Sequence, residues 1–253
     1  MNAILRKNNK QDKYVQFEDD MGRWYGNGTK RLISITNALD KGSPITEKRK
    51  DYLLYSTKES AEDNLRNAGQ FGTQAHEYFE KLLRGEEINL LETHAAHVER
   101  FRTWINSHNV KPLYLEEVLY SERFGYAGTC DFIGHITTCL DPKCCREDKG
   151  EVFVVADWKT SRDYDISFGY QMAAYRYAAI EMGLVDDSIG MMGVHLPRTG
   201  TGVRSMLYEH YEFCFEQFLL CLEKMKGIYF NKLKKVEWEY LTKKSMIINW
   251  ENK

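Results

Sequence analysis

Apolar residues recur at helical spacing in the first half of the chain and at alternating or continuous spacing beyond residue 112. From Gln70 the run QFGTQAHEYFEKLLRGEE sets Ala75, Phe79, Leu82 and Leu83 near one helical stripe, with Gly85 as its stop. Residues 90–108 repeat the pattern through Leu91, Ala95, Val98, Phe101, Trp104 and Ile105. The texture changes at Lys111-Pro112. There LYLEEVLYSERFGYAGTCDFIGHITTC holds two period-2 stretches about a Gly-containing turn, which is a β-hairpin pattern. A polar, cysteine-bearing insertion, CLDPKCCREDKG, leads to the continuous apolar run VFVVADW, which predicts a central strand covered on both faces. A helix is predicted from about Ile166 to Met182 with Gly183 as its stop. A strand over 188–196 and a long helix over 207–235 follow.

The flanks are less regular. Residues 1–30 alternate charge and aromatics without a clear period and predict an extended arm. From Arg31, RLISITNALDKG gives a short apolar run, a cap candidate and a glycine stop. Residues 45–70 are polar and helix-prone, ending at Asn67-Ala68-Gly69, and 236–253 read as a tail. The order helix, three strands, helix, strand, helix predicts an α/β fold: a central mixed β-sheet flanked by helices, with helical additions at both ends. One domain is expected over 31–235, with its core at about 68–196. With 4 prolines and no Ser/Gly-rich run, the chain offers no long linker between modules.

Composition adds limits. The 253 residues are 43% hydrophobic and 28% charged, ordinary for a globular enzyme. The net charge is -2, so no global positive field advertises nucleic acid. An acidic metal site can nevertheless cancel a basic groove in that sum. Local basic clusters stand at Lys48-Arg49-Lys50, Lys232 with Lys234-Lys235, and Lys243-Lys244. The N-terminus has no stretch apolar enough for a signal peptide, and no run approaches a membrane span. A cytoplasmic protein, in a bacterial or phage-infected cell, with reduced cysteines and no membrane partner is therefore expected.

The chemistry concentrates in Gly128-x-x-Asp131, Asp157-x-Lys159 and Gln171-x-x-x-Tyr175. Residues i and i+2 of a strand leave the same face about 7 Å apart, so Asp157 and Lys159 emerge together at the end of an apolar strand. Charges at such a place need a partner or a task. Asp131, in the preceding strand, brings a second carboxylate; two acids on neighbouring strands repel unless a cation joins them, and oxygen ligands suit Mg²⁺ or Mn²⁺. Glu116 can add a third acid, with Glu117 competing because the strand phase is ambiguous; Glu116 shares the parity of Val118 and Tyr120. Acids holding a metal, with a lysine beside them, suit phosphodiester hydrolysis. Gln171 and Tyr175 lie at i and i+4 on one helical face, able to orient the lysine or bond a phosphate.

Phe71-Gly72-Thr73-Gln74-Ala75-His76, Gly128-x-x-Asp131, Asp157-Trp158-Lys159-Thr160-Ser161 and Gln171-x-x-x-Tyr175 occur in that order. Together, over about residues 31–196, they resemble the PD-(D/E)XK nuclease superfamily, in the branch of RecB-like nuclease domains and phage-encoded exonucleases. The resemblance implies a restriction-endonuclease-like core. It also implies that His76, Asp131, Asp157 and the backbone carbonyl of Trp158 ligate a metal, that Lys159 stabilises the transition state, and that Glu116 lies nearest a second metal. Gln171 and Tyr175 would contact DNA and the lysine. Some RecB-like relatives carry a four-cysteine iron–sulfur cluster; Cys139, Cys144 and Cys145 in an insertion, with Cys214 and Cys221 after it, do not match that arrangement, and no cluster is expected. Zinc on those cysteines with His135 would need poor ligand spacing. His94 and His97 read as structural.

The expected function is a Mg²⁺- or Mn²⁺-dependent deoxyribonuclease, an exonuclease of recombination, replication or repair. The alternatives are a structure-selective endonuclease and a non-catalytic DNA-binding module on the same fold; intact Asp131, Asp157 and Lys159 speak against the last. No helicase motif, P-loop or helix-turn-helix is evident, so the nuclease is expected to be free-standing or to be supplied by other chains with a single-strand annealing or binding protein or a helicase. Exonuclease action further suggests Tyr175, with Trp158 and Tyr170 as other candidates, near a terminal nucleotide.

Overall fold

Strands that are apolar on both sides need helices on both faces, and the chain provides them. A computed structural model describes residues 13–44, 55–139, 149–198 and 202–250. Chain order is β1 (Val15–Asp19), β2 (Gly22–Gly26), β3 (Arg31–Ser34), α1 (Ile35–Gly42), α2 (Lys58–Arg84), α3 (Glu92–His108), β4 (Lys111–Ser121), β5 (Tyr126–Cys139), β6 (Lys149–Lys159), α4 (Ser167–Glu181), β7 (Gly190–His195), β8 (Arg204–Tyr208) and α5 (Tyr211–Trp250). The strands form one mixed sheet in the order β1-β2-β3-β5-β6-β7-β8, with β4 also on β5. The β3–β5 and β6–β7 pairs are parallel and the others antiparallel. Among the described residues no helix is long and apolar enough to cross a membrane.

Alternation along β6 divides the core. Val154, Ala156 and Trp158 pack with Phe71, Ala75 and Phe79 of α2 and Phe101 and Trp104 of α3. Val155 faces the other way, into the layer built by α1, α4 and α5, which includes Met172, Ala173, Phe215 and Phe218. Burying each such large side chain stabilises by about 1.5–3 kcal/mol. Asp157 and Lys159 share the parity of Val155, so the strand that anchors the core also carries the charged pair to its end.

Four segments differ from expectation. The described part of the 1–30 arm is the β1–β2 hairpin, which joins the sheet through β3. Its turn is fixed by Asp19, whose Oδ1 accepts the Met21 N–H at 2.8 Å and the Trp24 indole N–H at 2.9 Å. Arg31 stacks 3.6 Å from the Trp24 ring centroid and pairs with Asp19. These contacts join residues of three strands and leave no period in the sequence. The predicted break at Gly69 does not occur either. Helix α2 is continuous from its Thr57 cap, where Oγ1 accepts the Ser60 N–H at 3.2 Å, to the left-handed Gly85. Glycine inside a helix costs about 1 kcal/mol, which burial of Phe71, Ala75 and Phe79 outweighs. Residues 204–208, the last two of them expected in the final helix, form the edge strand β8. Helix α5 then runs through most of the expected tail, to Trp250. The insertion over 140–148 and the basic cluster Lys48-Arg49-Lys50 lie outside the described residues.

Candidate active site

Strand β5 has two edges, and their use is unequal. β4 runs along one edge from Tyr126 to His135. On the other edge β3 pairs with Tyr126 and Ala127, and β6 pairs from Phe132 onward. Residues 128–131 therefore face a gap between β3 and β6. A cleft of about 350 Å³ opens there, lined among others by Thr129, Asp131, Asp157, Lys159, His76 and Glu116.

Side-chain alternation breaks at this point in both partner strands. Cys130 and Ile133 pack in the α1/α4/α5 layer, whereas Phe132 packs in the α2/α3 layer. Asp131 and Phe132 thus fall on the same side. Across from them Leu115 packs with the α2/α3 layer and Leu119 with the opposite one. The switch on β4 is made at Glu116, which has φ 52°. A non-glycine residue in this left-handed region carries about 1–2 kcal/mol of strain. The break explains why strand phase could not choose between Glu116 and Glu117: two periods meet there. Glu116, not Glu117, lines the cleft.

His76 comes from α2, which crosses this end of the sheet. Its Nδ1 lies 3.2 Å from Asp131 Oδ1. Ligand atoms of His76, Glu116 and Asp131 all lie within 4.8 Å of one another, close enough to hold one cation. The other Asp131 oxygen accepts the backbone N–H of Trp158 at 2.7 Å. One imidazole and two carboxylates suit Mn²⁺ or Mg²⁺ chemically.

A second group surrounds the lysine. Lys159 Nζ donates to Gln171 Oε1 at 2.7 Å and forms an ion pair with Asp157 Oδ2. The Gln171 amide donates to Asp157 Oδ1 at 3.2 Å and to Tyr175 Oη at 3.0 Å. Gln171 therefore holds both members of the charged pair, and Tyr175 holds Gln171. This needs the close approach of α4, and Gly128 permits it: a Cβ there would meet the Tyr175 ring at 2.8 Å and Ile35 at 2.9 Å. Asp157 Oδ2 is buried and meets only the Lys159 ammonium.

Burial and crowding of like charge show in the titrations. Burial, then Asp131, lifts Glu116 to about 8. Burial, again with Asp131, lifts Asp157 to about 6 against the opposing pull of Lys159. Desolvation works to lower the His76 pKa, but the charge and hydrogen bond of Asp131 outweigh it and hold the imidazole up at about 9. Carboxyls that resist ionisation beside an imidazole that retains its proton mark a cluster short of positive charge.

The sequence-predicted residues Glu116, Asp131, Asp157, Lys159, His76, Gln171 and Tyr175 all line this one cleft. The compact ligand group differs from the expected one: it takes Glu116 where Asp157 was expected, because Asp157 is tied to Lys159 and Gln171. Trp158 meets the site through its N–H, with its ring in the core. Tyr175, Trp158 and Tyr170, expected near a terminal nucleotide, are 2%, 1% and 9% exposed, and of the three Tyr175 lines the cleft. His94 and His97 are structural, as expected: each Nε2 bonds a backbone carbonyl, Phe71 O at 3.2 Å and Leu196 O at 3.0 Å. His135 pairs with Glu151 at 3.4 Å, and Cys130, Cys214 and Cys221 are buried free thiols.

Gln16, Arg23, Thr36 and Thr129 also line the cleft and were not singled out from sequence. Thr129 stands two residues before Asp131 on a strand, a parity that could have pointed to it. Gln16 and Arg23 arrive through the β1–β2 hairpin, for which the sequence had no period. Comparison with known proteins adds no assignment: no family model matches the chain, and no curated protein is detectably similar to it.

Proposed function

We propose that the protein is a divalent-metal-dependent nuclease that hydrolyses DNA phosphodiester bonds, on the restriction-endonuclease-like core of the PD-(D/E)XK superfamily. The observation that carries this reading is the union, in one gap of the sheet, of the His76–Glu116–Asp131 group with the Gln171-held Lys159–Asp157 pair. His76, Glu116 and Asp131 would hold a divalent cation, which when bound would supply Lewis-acid polarisation of a phosphoryl oxygen and of an attacking water. Lys159 stands where negative charge grows on the phosphorus oxygens and stabilises it. Gln171 keeps the ammonium in position, so it need not reorganise during the reaction. Asp157 pairs with the lysine through one oxygen and with Gln171 through the other, which orients the ammonium. Arg23, Thr36 and Thr129 supply polar groups for the phosphates of the bound strand.

The cleft favours an end-trimming enzyme. Residues of the β1–β2 hairpin and of α2 line it together, so a strand end that enters between them would reach Lys159. Linear DNA, covalently closed duplex circles and circular single strands, each with Mn²⁺, Mg²⁺ or excess EDTA, test the reading. Metal-dependent loss of linear DNA alone is expected. Comparable attack on closed circles makes the enzyme an endonuclease, and inertness toward all three with intact fold overturns the nuclease assignment.

A further inference from the structure

Beside Lys159 the chain between β7 and β8 is held unusually firmly. Leu196 N–H donates to Lys159 O at 2.7 Å, and Arg198 N–H to Thr160 O at 3.2 Å, continuing the β6–β7 ladder past the ends of both strands. From α3, His97 Nε2 donates to Leu196 O at 3.0 Å and Arg100 donates to Pro197 O at 3.0 Å. Burial lowers the His97 pKa, which keeps the ring neutral, free to accept at Nδ1 from Arg100 at 2.9 Å. Four bonds from two directions thus fix three consecutive residues.

This base carries one exposed side chain, Arg198. Its guanidinium lies 4.8 Å from the centroid of the Phe71 ring, and among the described residues no carboxylate pairs with it. Phe71 precedes Gly72 and Thr73, which line the cleft, and the Gly72 Cα sits so close to Thr160 that an added Cβ would lie 3.1 Å from its Oγ1. Arg198 is therefore one backbone hydrogen bond from Thr160, the residue after Lys159, and its ring partner Phe71 adjoins the cleft-lining Gly72. A guanidinium stacked by one face on an aromatic ring keeps its N–H edge free for two parallel bonds to an anion. An arginine without a carboxylate partner, set over an aromatic ring and carried on a firmly bonded backbone, suits that use.

Resting on the nuclease reading, we infer that Arg198 is a phosphate-binding residue that grips the substrate strand beyond the scissile bond. The bound strand then runs from the β1–β2 hairpin, past Lys159, to the Arg198–Phe71 pair. The contact exists before and during reaction alike, so it strengthens binding without altering the chemical step.

Anisotropy of a short labelled single-stranded oligonucleotide, with Ca²⁺ to withhold cleavage, tests this across a salt series. Arg198→Gln is expected to weaken binding about tenfold, the loss of one charge-assisted contact, and to lower the slope of log affinity against log salt by about 0.7. Arg198→Lys restores the slope but not the full affinity, because an ammonium lacks the paired donors. In Mn²⁺ assays the loss falls in KM rather than kcat. Lys226→Gln, on the opposite face of the sheet, leaves affinity and slope alone. If the wild-type protein binds and cuts while Arg198→Gln matches its affinity and slope, the inference falls and the nuclease reading stands. If the wild-type protein neither binds nor cuts DNA, both fall together.

Discussion

Asp131 Oδ2 accepts the backbone N–H of Trp158 at 2.7 Å, one step past Phe132–Ala156, where the β5–β6 ladder ends. The acid therefore has a structural duty apart from any metal. Asp131→Asn retains an oxygen for that N–H, whereas Asp131→Ala leaves it buried and unpaired. Asp131→Ala should be less stable than Asp131→Asn by about 1–3 kcal/mol, and both should lose Mn²⁺ affinity. Urea unfolding with calorimetric Mn²⁺ titration measures the two effects separately; equal stability of the variants would remove the structural role.

Lys159 and Gln171 divide a task between charge and position. Lys159→Ala should lower kcat by about 10²–10³ while leaving Mn²⁺ binding in place. Gln171→Leu, which keeps the volume but frees the ammonium, should lose less. Near-normal turnover by folded Lys159→Ala would end the catalytic assignment.

Glu116 combines strain with function. Its φ of 52° suits glycine better than any other residue. Glu116→Gly relieves that strain and removes a carboxyl held unwillingly near its neighbours. The metal-free variant should be at least as stable as the wild-type protein at pH 8, with cleavage sharply reduced. Melting curves and a DNA digest decide it; a large drop in melting temperature contradicts the strain.

Three titrations push the metal-free protein in one direction. An acid whose folded pKa is raised opposes folding once ionised, so Glu116, raised from 4.5 to about 8, costs stability as pH climbs through that window. Asp157, raised from 3.8 to about 6, acts likewise at lower pH. His76, raised from 6.5 to about 9, gives stability that is whole below 6.5 and lost as pH rises through about 9. A divalent cation replaces these protons. The rise in melting temperature with Mn²⁺ should therefore be greater at pH 8 than at pH 6. His76→Ala should require more Mn²⁺ for the same rise and should narrow any preference for Mn²⁺ over Mg²⁺, since imidazole favours the softer ion. A metal shift that is equal at both pH values, or absent, argues against the site.

What could be read in advance followed from periodicity and its punctuation. The helices around Phe79 and Phe101 bury one regular face, whereas VFVVADW and the helix around Tyr175 are buried on nearly every side, and both patterns are written in the local order of residues. The pairs Asp157 with Lys159 and Gln171 with Tyr175 were legible because strand and helix geometry alone fix residues two and four apart. The β1–β2 hairpin was not, because Asp19, Trp24 and Arg31 hold it by contacts between strands. Strand β8 was missed because it gains its hydrogen bonds from β7.

The sequence by itself therefore determined the helices and central strands, and with them the charged pair that the β6 parity carries to the sheet end. The tertiary structure alone decided the site's inner arrangement. Opposing breaks at Glu116 and Asp131, the gap between β3 and β6, and the crossing of α2 brought Glu116, the acid the sequence favoured over Glu117, into the cleft. They also set Glu116 rather than Asp157 beside His76 and Asp131. The hairpin, folded back through β3, brought Arg23 to the cleft, and α3 fixed the chain that presents Arg198. Each of these is a meeting of residues distant in sequence, and only packing determines which such residues meet.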